Sequence, residues 1–396
     1  MDKKKQTFYL FCALQLTYWG CFAAFNAYFV ALMLDAGMTS TRISLIQATY
    51  LMAAFAGSFV WGGISDKLHT NRKTFLMQMA GALVTGLVIY FFRHITLLVA
   101  LVYPVFGFCL VPMASNLDSW IIKSFPQDPD YYGTTRGVSA FGYGFLALGF
   151  GQLVARVGYF IMPIGLIVFS VLSIVIAMIE PDSPMVGVKL TERFSVKDIG
   201  TLFKNGPYVI LLVILLLTGL SFVPLSYMKL LLYQNVGGDV TWVGYESFVG
   251  CLVQTPFFIA AGKLKRIPVA TRMALALSGM ALMLVFYFIA SRPWMILFGS
   301  VFYFVGYSVL LPTYREKGSG LIEGRLMTTA QSLIDAVFGS LAGMSGLFYA
   351  GYVIDTLGPK MLVTFSIFTF IIPLVIVYVQ LMKYLKKAKE AKNNAG

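Results

Sequence analysis

The chain has 396 residues, of which 58% are hydrophobic and 12% charged, with a mean hydropathy of +0.79 and a formal net charge of +13. Soluble globular domains carry roughly 25% charged residues, so no soluble fold has an interior large enough for this much apolar side chain. A net charge of this size would suggest nucleic acid in a soluble protein, but here the cations lie in short gaps between apolar runs, where anionic lipid headgroups are the expected partner and nucleic acid is not.

Apolar runs of about 20 residues, enough to cross roughly 30 Å of hydrocarbon as helix, recur from Thr7 to Leu385. They predict twelve spans near residues 7–34, 43–64, 74–92, 95–123, 134–156, 159–179, 208–233, 243–262, 272–290, 293–314, 326–350 and 361–384. Helices are the economical solution because their backbone groups are satisfied within the segment. Lys and Arg crowd into the N-terminal tail, the even-numbered gaps and the C-terminal tail. The odd-numbered gaps hold only Arg42, Arg93, Arg292 and Lys360, with Arg156 at the end of span five beside the fifth. That bias predicts both termini in the cytoplasm and a multi-pass protein of the plasma (inner) membrane.

Span one follows Met1-Asp2-Lys3-Lys4-Lys5 but is too long for a signal-peptide core and lacks a small-residue cleavage site, so it is expected to be retained. Cys12, Cys21, Cys109 and Cys251 all fall within spans, where small apolar filler is the expectation and neither a disulfide nor a metal site is. Pro104 and Pro112 in span four, Pro224 in span seven and Pro256 in span eight are expected to kink their helices or free backbone groups that line a cavity. Glycines recur through spans five and eleven, which predicts close helix packing there. Between spans six and seven runs the longest polar stretch. Within it Val196, Ile199, Leu202 and Phe203 recur at helical spacing, as for a short helix lying on the membrane surface. This divides the chain into an N-terminal six-helix bundle (1–180), a cytoplasmic linker (181–206) and a C-terminal six-helix bundle with a basic tail (207–396).

Ionisable groups inside spans are costly and are therefore candidate functional residues. Asp118 and Arg136 stand nine positions either side of residue 127, in the loop between spans four and five, so they should share a depth on adjacent helices. Tyr143, two helical turns beyond Arg136, shares its face. Either the two charges form a structural ion pair with Tyr143 as packing, or the three contact a substrate. Lys229 and Glu246 repeat the arrangement about the loop between spans seven and eight, and a structural or gating bridge near the extracellular side is the expectation. Asp335 lies about ten residues, roughly 15 Å, into span eleven with no basic residue evident at its level. An unpaired carboxylate there would suit a group that gains and loses a proton during a cycle.

The loop after span two reads Gly62-Gly63-Ile64-Ser65-Asp66-Lys67-Leu68-His69-Thr70-Asn71-Arg72-Lys73 and resembles the major facilitator superfamily, whose pattern here is Gly-x-x-x-Asp-Arg/Lys-x-Gly-Arg/Lys-Arg/Lys. The match needs a two-residue stretch and places His69 where the family has glycine. The resemblance implies an all-α membrane protein of twelve helices in two six-helix bundles that rock about a central site, with Asp66 in a gating role. Asp118, Gly133 and Thr134-Thr135-Arg136 are further similar to lactose permease and the oligosaccharide:proton symporters. In that group the corresponding acid and arginine bind sugar hydroxyls, and an aromatic ring at the position of Tyr143 stacks on the sugar. The Lys, His and Glu cluster that couples protons on helix ten of lactose permease is absent from Val301-Phe302-Tyr303-Phe304-Val305-Gly306-Tyr307-Ser308. The segment Gly324 to Ser332, followed by glycines from Gly339 to Gly351, is more similar to the wider lactose-permease-like group, which includes nucleoside and phenylpropionate permeases.

Together these readings predict proton-coupled uptake of a saccharide, glycoside or nucleoside by a carrier without cofactor that can act as a monomer. A drug or metabolite exporter of the same fold is the alternative. No nucleotide-binding loop, nucleophile elbow or metal-ligand spacing points to an enzyme.

Overall fold

A computed structural model describes residues 3–126, 128–182, 200–259, 264–322 and 326–393. Among these the secondary structure is helical, and eleven helical segments are long and apolar enough to span a bilayer. The helix of the expected span eight, Thr241–Ile259, is not one of the eleven and runs up to residues outside those described.

Four of the twelve spans are interrupted. Span one is α1 (Lys3–Ala24), a 3-10 turn over Asn26–Tyr28, and α2 (Phe29–Asp35). Spans two and three are α3 (Ser40–Leu68) and α4 (Asn71–Phe91). Span four breaks at Val111-Pro112 into α5 (Thr96–Leu110) and α6 (Met113–Ser124), as the proline requires. Spans five and six are α7 (Pro129–Val157) and α8 (Ile161–Ile179). Span seven breaks at Met228, four residues after Pro224, into α9 (Gly206–Tyr227) and α10 (Lys229–Asn235). Pro104 and Pro256, by contrast, lie within unbroken helices. Spans eight to ten are α11 (Thr241–Ile259), α12 (Val269–Ile289) and α13 (Pro293–Leu321). Span eleven is α14 (Met327–Asp335), one π-helical turn over Ala336–Leu341, and α15 (Ala342–Leu357); span twelve is α16 (Pro359–Asn393).

Short caps fix the turns between spans. The hydroxyls of Thr39 and Thr70 accept from the amides of Arg42 and Lys73 at the starts of α3 and α4, and Asn205 caps α9 through Tyr208. His69 closes α3 in the left-handed conformation, φ 51°, and is the only non-glycine residue there among those described. That conformation explains why the related pattern has glycine at this place.

The spans gather into two sets. In the first, α1 packs on α7 and α8, and α5 on α3 and α4; in the second, α12 packs on α13 and α16, and α9 on α15 and α16. The sets meet along two seams, α7 against α11 and α3 against α15. Glycines let the backbones approach there. A Cβ on Gly351 would lie 2.1 Å from the Ser40 carbonyl oxygen, and one on Gly244 would lie 2.9 Å from that of Ala147. Of the residues expected to form a surface helix in the linker, Val196 and Ile199 lie outside the described residues, Leu202 is buried and Phe203 exposed.

Candidate functional site

The two seams draw the bundles together on the face opposite the chain termini. There Asp355, near the end of α15, accepts hydrogen bonds from the Ser40 and Thr41 amides at 3.0 and 2.7 Å and from the Thr41 hydroxyl at 2.6 Å. A carboxylate from one bundle thus caps the first turn of a helix in the other, where the helix dipole favours negative charge. The Tyr28 hydroxyl donates to the Ala147 carbonyl at the second seam. On the terminus-bearing half, the side chains of Arg136, Arg315 and Asp335 are 39%, 52% and 42% accessible to solvent. The space between the bundles is therefore sealed on one face and open on the face bearing the termini.

This space comprises three adjoining lobes. The first, about 450 Å³, is lined by Trp19, Arg136, Tyr143, Lys229, Ser247 and Gln254 among others. The second, about 310 Å³, shares Trp19, Tyr143 and Lys229 with it and adds Asn26, Gln47 and Tyr227. The third, about 420 Å³, shares Tyr227 with the second and adds Tyr303, Tyr307, Arg315 and Asp335. Volumes of this order suit a small-molecule ligand.

Within the first lobe, Arg136 Nη2 lies 2.9 Å from Asp118 Oδ2, and Asp118 is also held by Gln15 Nε2 at 3.2 Å and the Tyr132 hydroxyl at 3.4 Å. Three helices, α1, α6 and α7, thereby fix the carboxylate behind the guanidinium. Tyr143 meets Trp19 edge to face, ring centroids 5.7 Å apart, so the lobe has an aromatic corner beside the arginine. Lys229 sits at the break in span seven with its Nζ 3.7 Å from Glu246 Oε1, and Glu246 is buried. Besides pairing with Glu246, Lys229 lines the same two lobes as Tyr143.

Asp335 is not alone. Arg315 Nη2 lies 2.9 Å from its Oδ2, and the Tyr314 hydroxyl donates to Oδ1 at 3.1 Å. The expectation of an unpaired carboxylate fails because α13 runs on to Leu321, seven residues past the end predicted from hydropathy, and carries Arg315 inward. The helix satisfies its own backbone groups whatever the polarity of its side chains, so a polar turn that faces a cavity can continue it, and hydropathy alone does not see that turn. Spans four and five and spans ten and eleven thus each present an acid–arginine pair, with the two residue types exchanged between the helices.

Asp66 lies outside the three lobes, exposed at the end of α3 beside a smaller pocket with Asn116 and Lys123, and it makes no ion pair with the described residues. Asn116 is locked to Asn71 at 2.7 Å in that pocket. Asn26 and Gln47 line the cavity and both accept from the Tyr103 hydroxyl, at 3.1 and 3.3 Å. Sequence reasoning missed Arg315, Trp19 and Asp355. It also missed Arg272, whose guanidinium forks onto Glu316 at 2.8 and 2.9 Å across α12 and α13. Only Arg315 carried a usable signal, through its spacing from Asp335.

The chain matches the family model described as "MFS_1 like family" over residues 7–381. No curated protein matches its sequence. Among solved structures it is similar to the nucleoside transporter NupG in a point-mutant form, with a TM-score of 0.80, 12% identity and coverage of 95% of this chain and 99% of that one. An auto-inhibited POT family peptide transporter gives a TM-score of 0.71, 10% identity and coverage of 94% and 96%. The human organic anion transporter MFSD10 (TETRAN) gives 0.61, 13% identity and coverage of 95% and 100%. At these identities the likeness is one of fold.

Proposed function

Since this chain belongs to the MFS_1 like family, we propose that it is a proton-coupled uptake carrier for a small polar solute of the saccharide, glycoside or nucleoside type. It works by alternating access in the plasma (inner) membrane with both termini cytoplasmic, and its substrate path lies within one chain. The Asp118–Arg136 pair at the wall of a cavity of ligand size carries this reading. An arginine fork held by a carboxylate behind it recognises hydroxyl or carbonyl groups, and the Tyr143 and Trp19 rings offer a platform for a flat solute. The nucleoside transporter among the similar structures keeps nucleosides among the candidates.

Asp335 is the proton site in this reading. Protonation of its carboxyl removes the charge that holds Arg315, so proton binding and the geometry of the third lobe change together. Lys229, at the break in span seven, and Glu246 tie span seven to span eight. Asp66, without an ion-pair partner among the described residues in the form open toward the termini, gains a cationic one in the other form.

Proteoliposomes with an imposed pH gradient test the reading. Solute accumulation driven by an inward proton gradient is expected in the wild type and is abolished in Asp335→Asn, which should keep gradient-independent exchange. Accumulation by Asp335→Asn with unchanged pH dependence removes Asp335 from the coupling step, and net extrusion would favour the exporter.

A further inference from the structure

The charges that reach the three lobes are unequal. Arg136, Lys229 and Arg315 line them, whereas Asp335 is the one carboxylate among the described lining residues. Asp118 and Glu246, the partners of the first two cations, stand behind the wall: their side chains are 16% and 8% accessible, against 39% and 20% for Arg136 and Lys229. A solute in the first lobe therefore meets the cations first.

Lys229 has a second peculiarity. At 3.7 Å from Glu246 Oε1 its ammonium is beyond hydrogen-bond reach, and it donates to none of the described residues. An ammonium group withdrawn from water needs acceptors, and the cavity is where one can be supplied. The Trp19 and Tyr143 rings line both lobes that Lys229 lines, and Arg136 shares the first with them. Aromatic faces, one ammonium and one arginine fork thus converge on about 450 Å³.

We infer that the solute is a ring-bearing carboxylate, its ring against Trp19 and Tyr143 and its carboxylate held between Lys229 and Arg136. This rests on the uptake reading above and moves its substrate class from neutral rings to acidic ones. A sugar acid and an aromatic acid share the recognised chemistry. Entering with one proton on Asp335, either would cross as a neutral pair.

The test uses the purified full chain and two matched pairs, glucose with glucuronate and 2-phenylethanol with phenylacetate, titrated at pH 7.5 with thermal stabilisation as the readout. The acid of at least one pair is expected to bind tenfold or more tightly than its neutral partner, and the pair that responds identifies the ring type. In the double variant Lys229→Gln with Glu246→Gln, which leaves neither charge unpaired, the advantage should fall by about tenfold, as for loss of a charge-assisted hydrogen bond. Equal or tighter binding of the neutral partners in the wild type overturns the inference while leaving a polar-solute carrier standing. An acid advantage that survives the double variant overturns the role of Lys229. Absence of stabilisation by all four compounds overturns the inference and leaves the nucleoside form of the uptake reading standing.

Discussion

His69 shows how a single residue can depart from a family pattern and reveal what the pattern is for. The end of α3 needs a left-handed residue, and His69 supplies it at φ 51° with a Cβ that glycine would not carry. His69→Gly is expected to raise stability by about 1 kcal/mol, read as an increase in Tm; no increase would mean that the imidazole makes compensating contacts. Glu180, just past α8, offers a pH-dependent counterpart. Its carboxylate oxygens are buried without a well-placed donor, and burial pushes the carboxyl up to about 7, the nearby Thr7 hydroxyl offsetting only part of this. Between about 4.5 and about 7 the folded state holds a proton that the unfolded chain has released, so stability falls as pH rises through that window. Glu180→Gln should flatten the fall: the variant gains on the wild type at pH 8 and not at pH 4.5. The charged pairs divide by how far sequence could see them. Asp118 with Arg136 and Lys229 with Glu246 flank short loops symmetrically, so counting residues places them together. Asp335 with Arg315 escaped because hydropathy ends span ten before Arg315, although the helix does not end there.

At the scale of elements, hydropathy was sufficient to locate the spans, because crossing hydrocarbon imposes a length and an apolar composition on each. It could not locate all the breaks. Pro112 and Pro224 announce two of them, but the turn at Asn26–Tyr28 and the π turn at Ala336–Leu341 have no proline. The π turn follows Asp335 directly and packs against α9, where a Cβ on Gly219 would lie 2.3 Å from the Phe338 carbonyl oxygen. An inserted residue in a helix re-aims the side chains beside it, and here the smallest residue on the neighbouring helix makes room for it. Gly219→Ala should therefore lower stability by about 1–3 kcal/mol, the range for overpacking, and slow transport. Gly149→Ala, with nothing within 4 Å of the added carbon, is the matched control and should change neither. Equal behaviour of the two variants in thermal unfolding would show that the π turn yields without cost.

For the whole molecule, alternating access requires that the seal on one face be weak enough to open, and this seal has few parts. Asp355 spans the seam through three hydrogen bonds to the start of α3, and beside it the backbone of Gly351 lies against Ser40 and Ser44, its amide donating to the Ser44 hydroxyl at 3.1 Å. Each hydrogen bond to a charged group contributes about 1.5–3 kcal/mol, and conformational equilibria in such proteins differ by only a few kcal/mol, so the carboxylate alone can decide which face is open. Asp355→Ala is expected to shift the population toward the form open on the face opposite the termini. Cys251, which lines the first lobe, reports it once Cys12, Cys21 and Cys109 are replaced by alanine. In oriented vesicles, a membrane-impermeant maleimide should label Cys251 from the terminus-bearing face in the parent and increasingly from the opposite face in Asp355→Ala. Gly351→Val, which places bulk where a Cβ alone would meet Ser40 at 2.1 Å, should produce the same shift by preventing closure rather than by removing attraction. Unchanged sidedness in both variants would mean that the second seam, between α7 and α11, holds the face closed by itself.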